Sequence, residues 1–171
     1  GRTGTLFGYE HFGIEPDVIA LAKGLGGGMP IGAMMAKDFC ASAFGPGDHA
    51  ATFGGNFLST TAGLTVLSEI DRMHLLENAQ EQGAHLQERA KKLQEKYDFI
   101  QEVRGLGLMQ GIVRNEASLF NDIRLEAAKR GFLFIGGGYP ALRLVPPLII
   151  QKEEIDAGMD ILDEAMAAMQ K

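Results

Sequence analysis

Lys23 is the first side chain in this sequence whose setting suits chemistry. It stands between the apolar run Val18-Ile19-Ala20-Leu21-Ala22 and the loop Gly24-Leu25-Gly26-Gly27-Gly28-Met29-Pro30. A lysine at the end of a strand lies where α/β folds gather their sites. Partial desolvation there lowers the proton affinity of the amine, so that Nζ can act as a nucleophile or base near neutral pH. The competing reading is an ordinary solvated charge, and these residues alone leave both open. Arg143 is the second candidate. It sits inside Leu142-Arg143-Leu144-Val145-Pro146-Pro147. A guanidinium between apolar neighbours needs a planar anion, either a substrate carboxylate or a structural Asp or Glu.

Other chemistries find little support. In a P-loop the lysine follows the glycines, whereas Lys23 precedes them, and a dinucleotide fingerprint would need glycine where Met29 stands. The four histidines, His11, His49, His74 and His85, are scattered without ligand spacing, so no metal is expected. No Gly-x-Ser-x-Gly elbow occurs. Cys40 is the only cysteine. It excludes an internal disulfide framework and reads as a small apolar side chain.

Pro16-Asp17 marks a turn, and the continuous apolar run after it predicts a strand buried on both faces, as in α/β proteins. Residues 31–36 predict a second strand and residues 38–43 a helical turn. Residues 44–56 read as a second glycine-rich loop, with Ser59 or Thr60 capping a helix over about residues 61–73. Ala79, Gly83, Leu86, Ala90, Leu93 and Tyr97 recur at alternating spacings of four and three, the stripe of a long amphipathic helix. Residues 99–103 and 108–113 predict strands flanking Arg104-Gly105-Leu106-Gly107. Asn115 is the expected cap of a helix ending at Arg130, with Gly131 as its stop. Residues 132–135 and 142–145 are further strand candidates around Gly136-Gly137-Gly138. The last helix covers about residues 153–169, with Ile155, Met159, Leu162, Met166 and Met169 on its core side. The expected organisation is the end of an α/β domain over residues 1–74, a connecting helix over 75–97, and a small α+β domain over 98–171.

Hydrophobic residues make up 46% and charged residues 22% of the 171 positions, the balance of a soluble globular chain. A net charge of −6 disfavours nucleic acid as a partner. No apolar run approaches the ~20 residues that span a bilayer, so no membrane association is expected. A cytoplasmic location is the matching expectation. The opening Gly1-Arg2-Thr3-Gly4 carries no signal-peptide pattern and reads as a start in mid-protein.

Taken in order, four segments resemble one family. Pro16-Asp17 followed by Leu21-Ala22-Lys23-Gly24-Leu25-Gly26-Gly27-Gly28-Met29-Pro30-Ile31-Gly32-Ala33 resembles the cofactor-lysine segment of class III aminotransferases of the ornithine/acetylornithine type, and Gly1-Arg2-Thr3-Gly4 resembles the segment before it. His49-Ala50-Ala51-Thr52-Phe53-Gly54-Gly55-Asn56 is similar to the second signature. Val103-Arg104-Gly105-Leu106-Gly107-Leu108-Met109 and Leu142-Arg143-Leu144-Val145-Pro146-Pro147-Leu148 are similar to two signatures of the C-terminal domain.

The resemblance implies a fold-type I transferase dependent on pyridoxal 5′-phosphate, acting as a homodimer. It implies that Lys23 carries the cofactor and moves a proton once freed, and that Thr52 binds the cofactor phosphate across the subunit interface. Arg143 would clamp a substrate carboxylate. Ala51 takes a position where a serine contacts the substrate in the family, Ala50 replaces a glycine, and Phe57 replaces a proline. The implied reaction moves an amino group from an ω-amino donor, N-acetylornithine before the others, to 2-oxoglutarate, as in arginine biosynthesis. Ornithine or 4-aminobutyrate aminotransferase and glutamate-semialdehyde aminomutase are the alternatives within the family. A truncated, non-catalytic piece is the alternative outside it, because the ring-nitrogen aspartate and the phosphate-binding glycine loop of the family would precede Gly1, and the piece alone is expected to be inactive.

Overall fold

The computed structural model describes residues 1–114, 118–136 and 141–169. The expected cap Asn115 and the loop glycines Gly137 and Gly138 lie outside them. The chain divides into two compact units, Tyr9–His74 on one side and Gly1–Gly8 with Leu75–Lys171 on the other.

In the unit Tyr9–His74, β1 (Val18–Leu21) pairs antiparallel with β2 (Ala33–Ala36), in a register that sets Val18 opposite Ala36 and Leu21 opposite Ala33. The expected strand buried on both faces is not what forms. Val18 is 49% exposed and Met34 53% exposed. The two strands make a ribbon without a third strand in the unit, with Ile19 and Leu21 half-buried on one face and Val18 and Ala20 exposed on the other. Residues 31 and 32 do not join β2; Ile31 instead turns its side chain onto the loop, against Gly26. After the single turn α1 (Asp38–Ala41), the helix α2 (Phe57–Arg72) starts earlier than the spacing suggested. Its cap is Asn56, whose Oδ1 accepts from the Ser59 N–H at 3.0 Å. An Asx cap of this kind satisfies one of the orphan amides of the first turn, so Ser59 lies inside the helix and is not its cap.

The other unit is built around α3 (Leu75–Lys96). Its expected stripe is buried: Ala79, Gly83, Leu86, Ala90 and Leu93, continued by Tyr97 just past its end. β3 (Ile100–Leu106) and β4 (Met109–Arg114) form a hairpin, α4 (Ser118–Lys129) follows, and β5 (Ile135–Gly136) and β6 (Ala141–Leu144) complete an antiparallel sheet in the order β3-β4-β6-β5. The strand expected at 132–135 shrinks to these two residues. Phe132 instead takes the backbone bond that ends α4, its N–H donating to the Ala127 carbonyl at 3.0 Å beside Gly131 at φ 86°. α5 (Lys152–Ala167) closes the unit.

One sheet face and the three helices share a core in which Ile112, Ile123, Ala127, Leu142, Leu162 and Met166 are fully buried. Each of the larger side chains, the leucines, isoleucines and Met166, contributes roughly 1.5–3 kcal/mol by leaving water. The segment Gly1–Gly8 is held to this unit by backbone and side chain alike. The Leu108 N–H donates to the Arg2 carbonyl at 2.9 Å, and the Arg2 guanidinium donates to the Pro146 carbonyl.

Candidate active site

Lys23 opens a 3₁₀ turn, Lys23–Gly26, directly after β1. Its backbone is in the left-handed region, φ 55°. For a residue with a Cβ that conformation costs about 1–2 kcal/mol, and strain of this kind is concentrated at functional positions. The turn closes through the Leu25 N–H to the Ala22 carbonyl at 3.2 Å and the Gly27 N–H to the Gly24 carbonyl at 3.1 Å. Two glycines are needed here. A Cβ on Gly26 would meet Ile31 Cγ2 at 2.8 Å, and Gly27 sits at φ 59° with Val66 Cγ2 3.0 Å from where its Cβ would be. The turn therefore rests on the middle of α2 through Val66, and Lys23 is presented outward from that base. Its side chain is exposed and has no hydrogen bond or ion pair among the described residues.

Ala51 and Thr52 lie in the loop that leads into the N-terminus of the same helix. The Gly54 N–H donates to the Ala51 carbonyl at 3.0 Å, and Asn56 Nδ2 donates to the Phe53 carbonyl at 2.9 Å. Asn56 thus ties the loop with one end of its amide and caps α2 with the other. Ala51, Thr52 and Phe53 are exposed. Lys23, Ala51 and Thr52 belong to one unit and share α2 as their support; Arg143 belongs to the other unit.

Arg143 is on β6, paired with Gly111 on β4 and with Ile135 on β5. Its neighbours Leu142 and Leu144 point into the core, so alternation turns Arg143 to the opposite face, where it is exposed. No Asp or Glu pairs with it among the described residues, which removes the structural ion pair as its explanation there. It borders a cavity of about 260 Å³ whose other walls include Leu86, Phe132, Phe134, Pro146 and Met159.

Two features were outside the reach of the sequence reading. Asn56, and not Ser59 or Thr60, is the cap, since the helix begins at Phe57. Arg104 was noted only as part of a motif, yet the register sets it opposite Gly111, in the same row as Arg143. A hairpin drawn about Gly107 gives the Arg104–Gly111 half of that alignment; the other half comes from the pairing of β4 with the distant β6. Among the described residues, no group of three or more His, Cys, Asp or Glu side chains could hold a metal, and no helix is long and apolar enough to cross a membrane.

A family model described as aminotransferase class-III matches residues 1–166. The acetylornithine aminotransferase of Caldanaerobacter subterraneus subsp. tengcongensis is 47% identical over 169 residues, covering 98% of this chain and 42% of its own length. That of Methanocaldococcus jannaschii is 44% identical over 173 residues, covering 100% of this chain and 42% of its own. Among solved structures, acetylornithine aminotransferase from Elizabethkingia anophelis superposes with a TM-score of 0.89 at 32% identity, over 98% of this chain and 45% of that one. Ornithine aminotransferase from Toxoplasma gondii superposes with a TM-score of 0.91 at 28% identity, over 99% and 41%. The chain spans about two-fifths of the length of the curated relatives it matches.

Proposed function

The chain belongs to the class-III aminotransferase family, and from that membership we propose that it carries the cofactor lysine of an enzyme moving an amino group from N-acetylornithine to 2-oxoglutarate. Its fold is that of the family's enzymes, the fold-type I arrangement. Class-III aminotransferases use pyridoxal 5′-phosphate, which when bound supplies an electron sink for the charge developing on the donor carbon. The residues present fit that cofactor. It needs an amine that nothing else neutralises, and Lys23 offers one: exposed, unpaired among the described residues, and held at φ 55°. That strained, outward-facing lysine on a glycine-built turn is the observation that carries the reading.

Lys23 would hold the cofactor through Nζ. When Nζ is free it is the base that takes the proton from the donor carbon and returns it. Thr52, exposed at the entrance to α2, would donate its hydroxyl to the cofactor phosphate, and the amides of a helix N-terminus favour the same anion. Arg143 would take a substrate carboxylate with its planar fork. Ala51 leaves a methyl where a hydroxyl could otherwise select between donors. The enzyme is read as a cytoplasmic homodimer in which Thr52 serves the neighbouring subunit's site. Support for an assembly comes from Phe53 and Phe57, 82% and 91% exposed on the same loop and helix start; apolar surface of this kind marks an interaction face.

The test is turnover by the full-length protein with three donors and 2-oxoglutarate. N-acetylornithine is expected to exceed ornithine and 4-aminobutyrate at least tenfold in kcat/KM. Preference for another donor would overturn the substrate assignment, and no turnover of any would overturn the enzyme.

A further inference from the structure

Arg2 is a charged side chain that the reading above does not use. It lies in the segment Gly1–Gly8, within the same unit as Arg143. Its side chain is half-buried, and that burial holds the guanidinium pKa below the ordinary arginine value. Among the described residues it meets no Asp or Glu. It donates instead, through one terminal nitrogen, to the carbonyl of Pro146, three residues after Arg143.

The chain around Pro146 has few other means of being fixed. The ladder of β6 stops at Leu144, opposite Gln110, one residue past Arg143. Pro146 and Pro147 follow, and neither has an N–H to donate. This exit from the sheet is therefore held mainly through its carbonyls. The Ile150 N–H donates to Pro147 at 3.1 Å, and Asn78 Nδ2 donates to Leu148 at 2.7 Å and to Ile150 at 3.2 Å. Those bonds secure the end toward α5. Arg2 secures the end next to β6. We propose that Arg2 is a positioning residue for the substrate carboxylate: it fixes the Pro146 carbonyl, and with it the stretch of chain from which Arg143 reaches. This rests on the assignment of Arg143 to that carboxylate.

Three observations carry it. Arg2 is anchored at its own backbone, where its carbonyl accepts from the Leu108 N–H at 2.9 Å, and Gln80 Nε2 on α3 donates to the Gly4 carbonyl at 2.6 Å. The side chain is thus a strut from the β3–β4 turn and α3 to the exit of β6. Next, Arg143, Val145, Pro146 and Pro147 border the same cavity. A shift of Pro146 moves the wall beside which Arg143 stands. Last, one carbonyl does not require a charged donor, and a neutral amide loses less on leaving water. A guanidinium is the stiffer choice, because its planar fork is pre-organised and less of its freedom is lost per bond formed.

The measurement is a double-mutant cycle in the full-length protein: wild type, R2Q, R143Q and R2Q/R143Q, with R2K and R2K/R143Q beside them. The readouts are calorimetric binding of glutarate, a non-reacting carboxylate, and KM and kcat for 2-oxoglutarate. R2Q is expected to weaken glutarate binding about tenfold and to raise KM with kcat changed less. In the R143Q background the same change should cost less than about twofold, because the group that Arg2 positions is gone. R2K should recover part of the loss, and if R2Q does not fold the R2K pair carries the comparison. An equal loss in both backgrounds overturns the proposal, since a residue that only stabilises the unit acts without Arg143. Unchanged binding in R2Q overturns it too. If wild type binds no glutarate, or R143Q binds it as wild type does, the carboxylate role of Arg143 fails, and that of Arg2 with it. If binding follows the expected pattern while the protein turns over no donor, the enzyme reading fails and the role of Arg2 stands.

Discussion

Arg143 is the residue on which the carboxylate reading can be measured most simply. Its side chain leaves the core face of β6, is exposed, and finds no acid among the described residues. Removing a charge-assisted contact costs ~1.5–3 kcal/mol. Arg143→Ala in the full-length protein is therefore expected to raise KM for the carboxylate substrate of the proposed reaction about ten- to a hundredfold, with little loss of fold stability. Unchanged steady-state kinetics would return Arg143 to a structural role. Asp156 is one of several carboxylates that contribute to the acid limit of the fold. The Asp156 carboxylate is held below its ordinary value by its hydrogen bond to His85, 2.8 Å away; burial pushes the other way, and Arg89 adds to the lowering. A depressed folded-state pKa stabilises above the unfolded value near ~3.9, and that contribution is lost as pH falls through the folded value. Thermal denaturation is expected to show a loss of stability below about pH 4 that is shallower in Asp156→Asn. An identical acid limb in the variant would remove Asp156 from the account.

At the level of elements, α3 and the β3–β4 turn meet backbone to backbone. A Cβ on Gly83 would stand 2.4 Å from the Gly107 carbonyl carbon, and Gly107 in turn sits at φ 50° with the Thr3 backbone 2.6 Å from its own Cβ position. Helix, turn and N-terminal segment are stacked backbone on backbone. Gly83→Ala has a better helix former at an interior position, which alone would stabilise by ~1 kcal/mol. Overpacking against fixed backbone costs about 1–3 kcal/mol, so a net loss of stability is expected in denaturant melts; a net gain would show that the turn can yield. The same helix shows what local sequence carries. Its stripe from Ala79 to Tyr97 was readable because helical spacing is a property of consecutive residues. The run at 18–22 forms a strand that is not buried on both faces, because a short apolar stretch does not reveal how many strands will flank it, and here the ribbon has only two. The proposed site residues Lys23, Thr52 and Arg143 come from motifs, which are local in sequence. The left-handed backbone at Lys23 and the alignment of Arg104 with Arg143 were not legible there, since one depends on packing against α2 and the other on pairing between distant strands.

For the molecule as a whole, burial is uneven. The apolar core belongs to the unit containing Leu75–Lys171, whereas the unit Tyr9–His74 leaves Phe12, Phe39, Leu64 and others in the open. Local opening is cheap where few apolar side chains are buried. Hydrogen exchange on this 171-residue chain is expected to show slow amides in α3, α5 and the four-stranded sheet, and faster exchange in β1, β2 and the Lys23 turn. Uniform protection across both units would contradict that distribution. The central claim, that Lys23 carries the cofactor, is tested most directly by reductive trapping. The full-length protein and its Lys23→Ala variant are incubated with pyridoxal 5′-phosphate, reduced with borohydride and mapped by mass spectrometry. Alanine keeps the same left-handed backbone cost, so the variant isolates the amine. The cofactor's mass on the Lys23 peptide of the wild type, with no specific label and no turnover in the variant, is the result predicted. A label on another lysine, or wild-type turnover in Lys23→Ala, would contradict it.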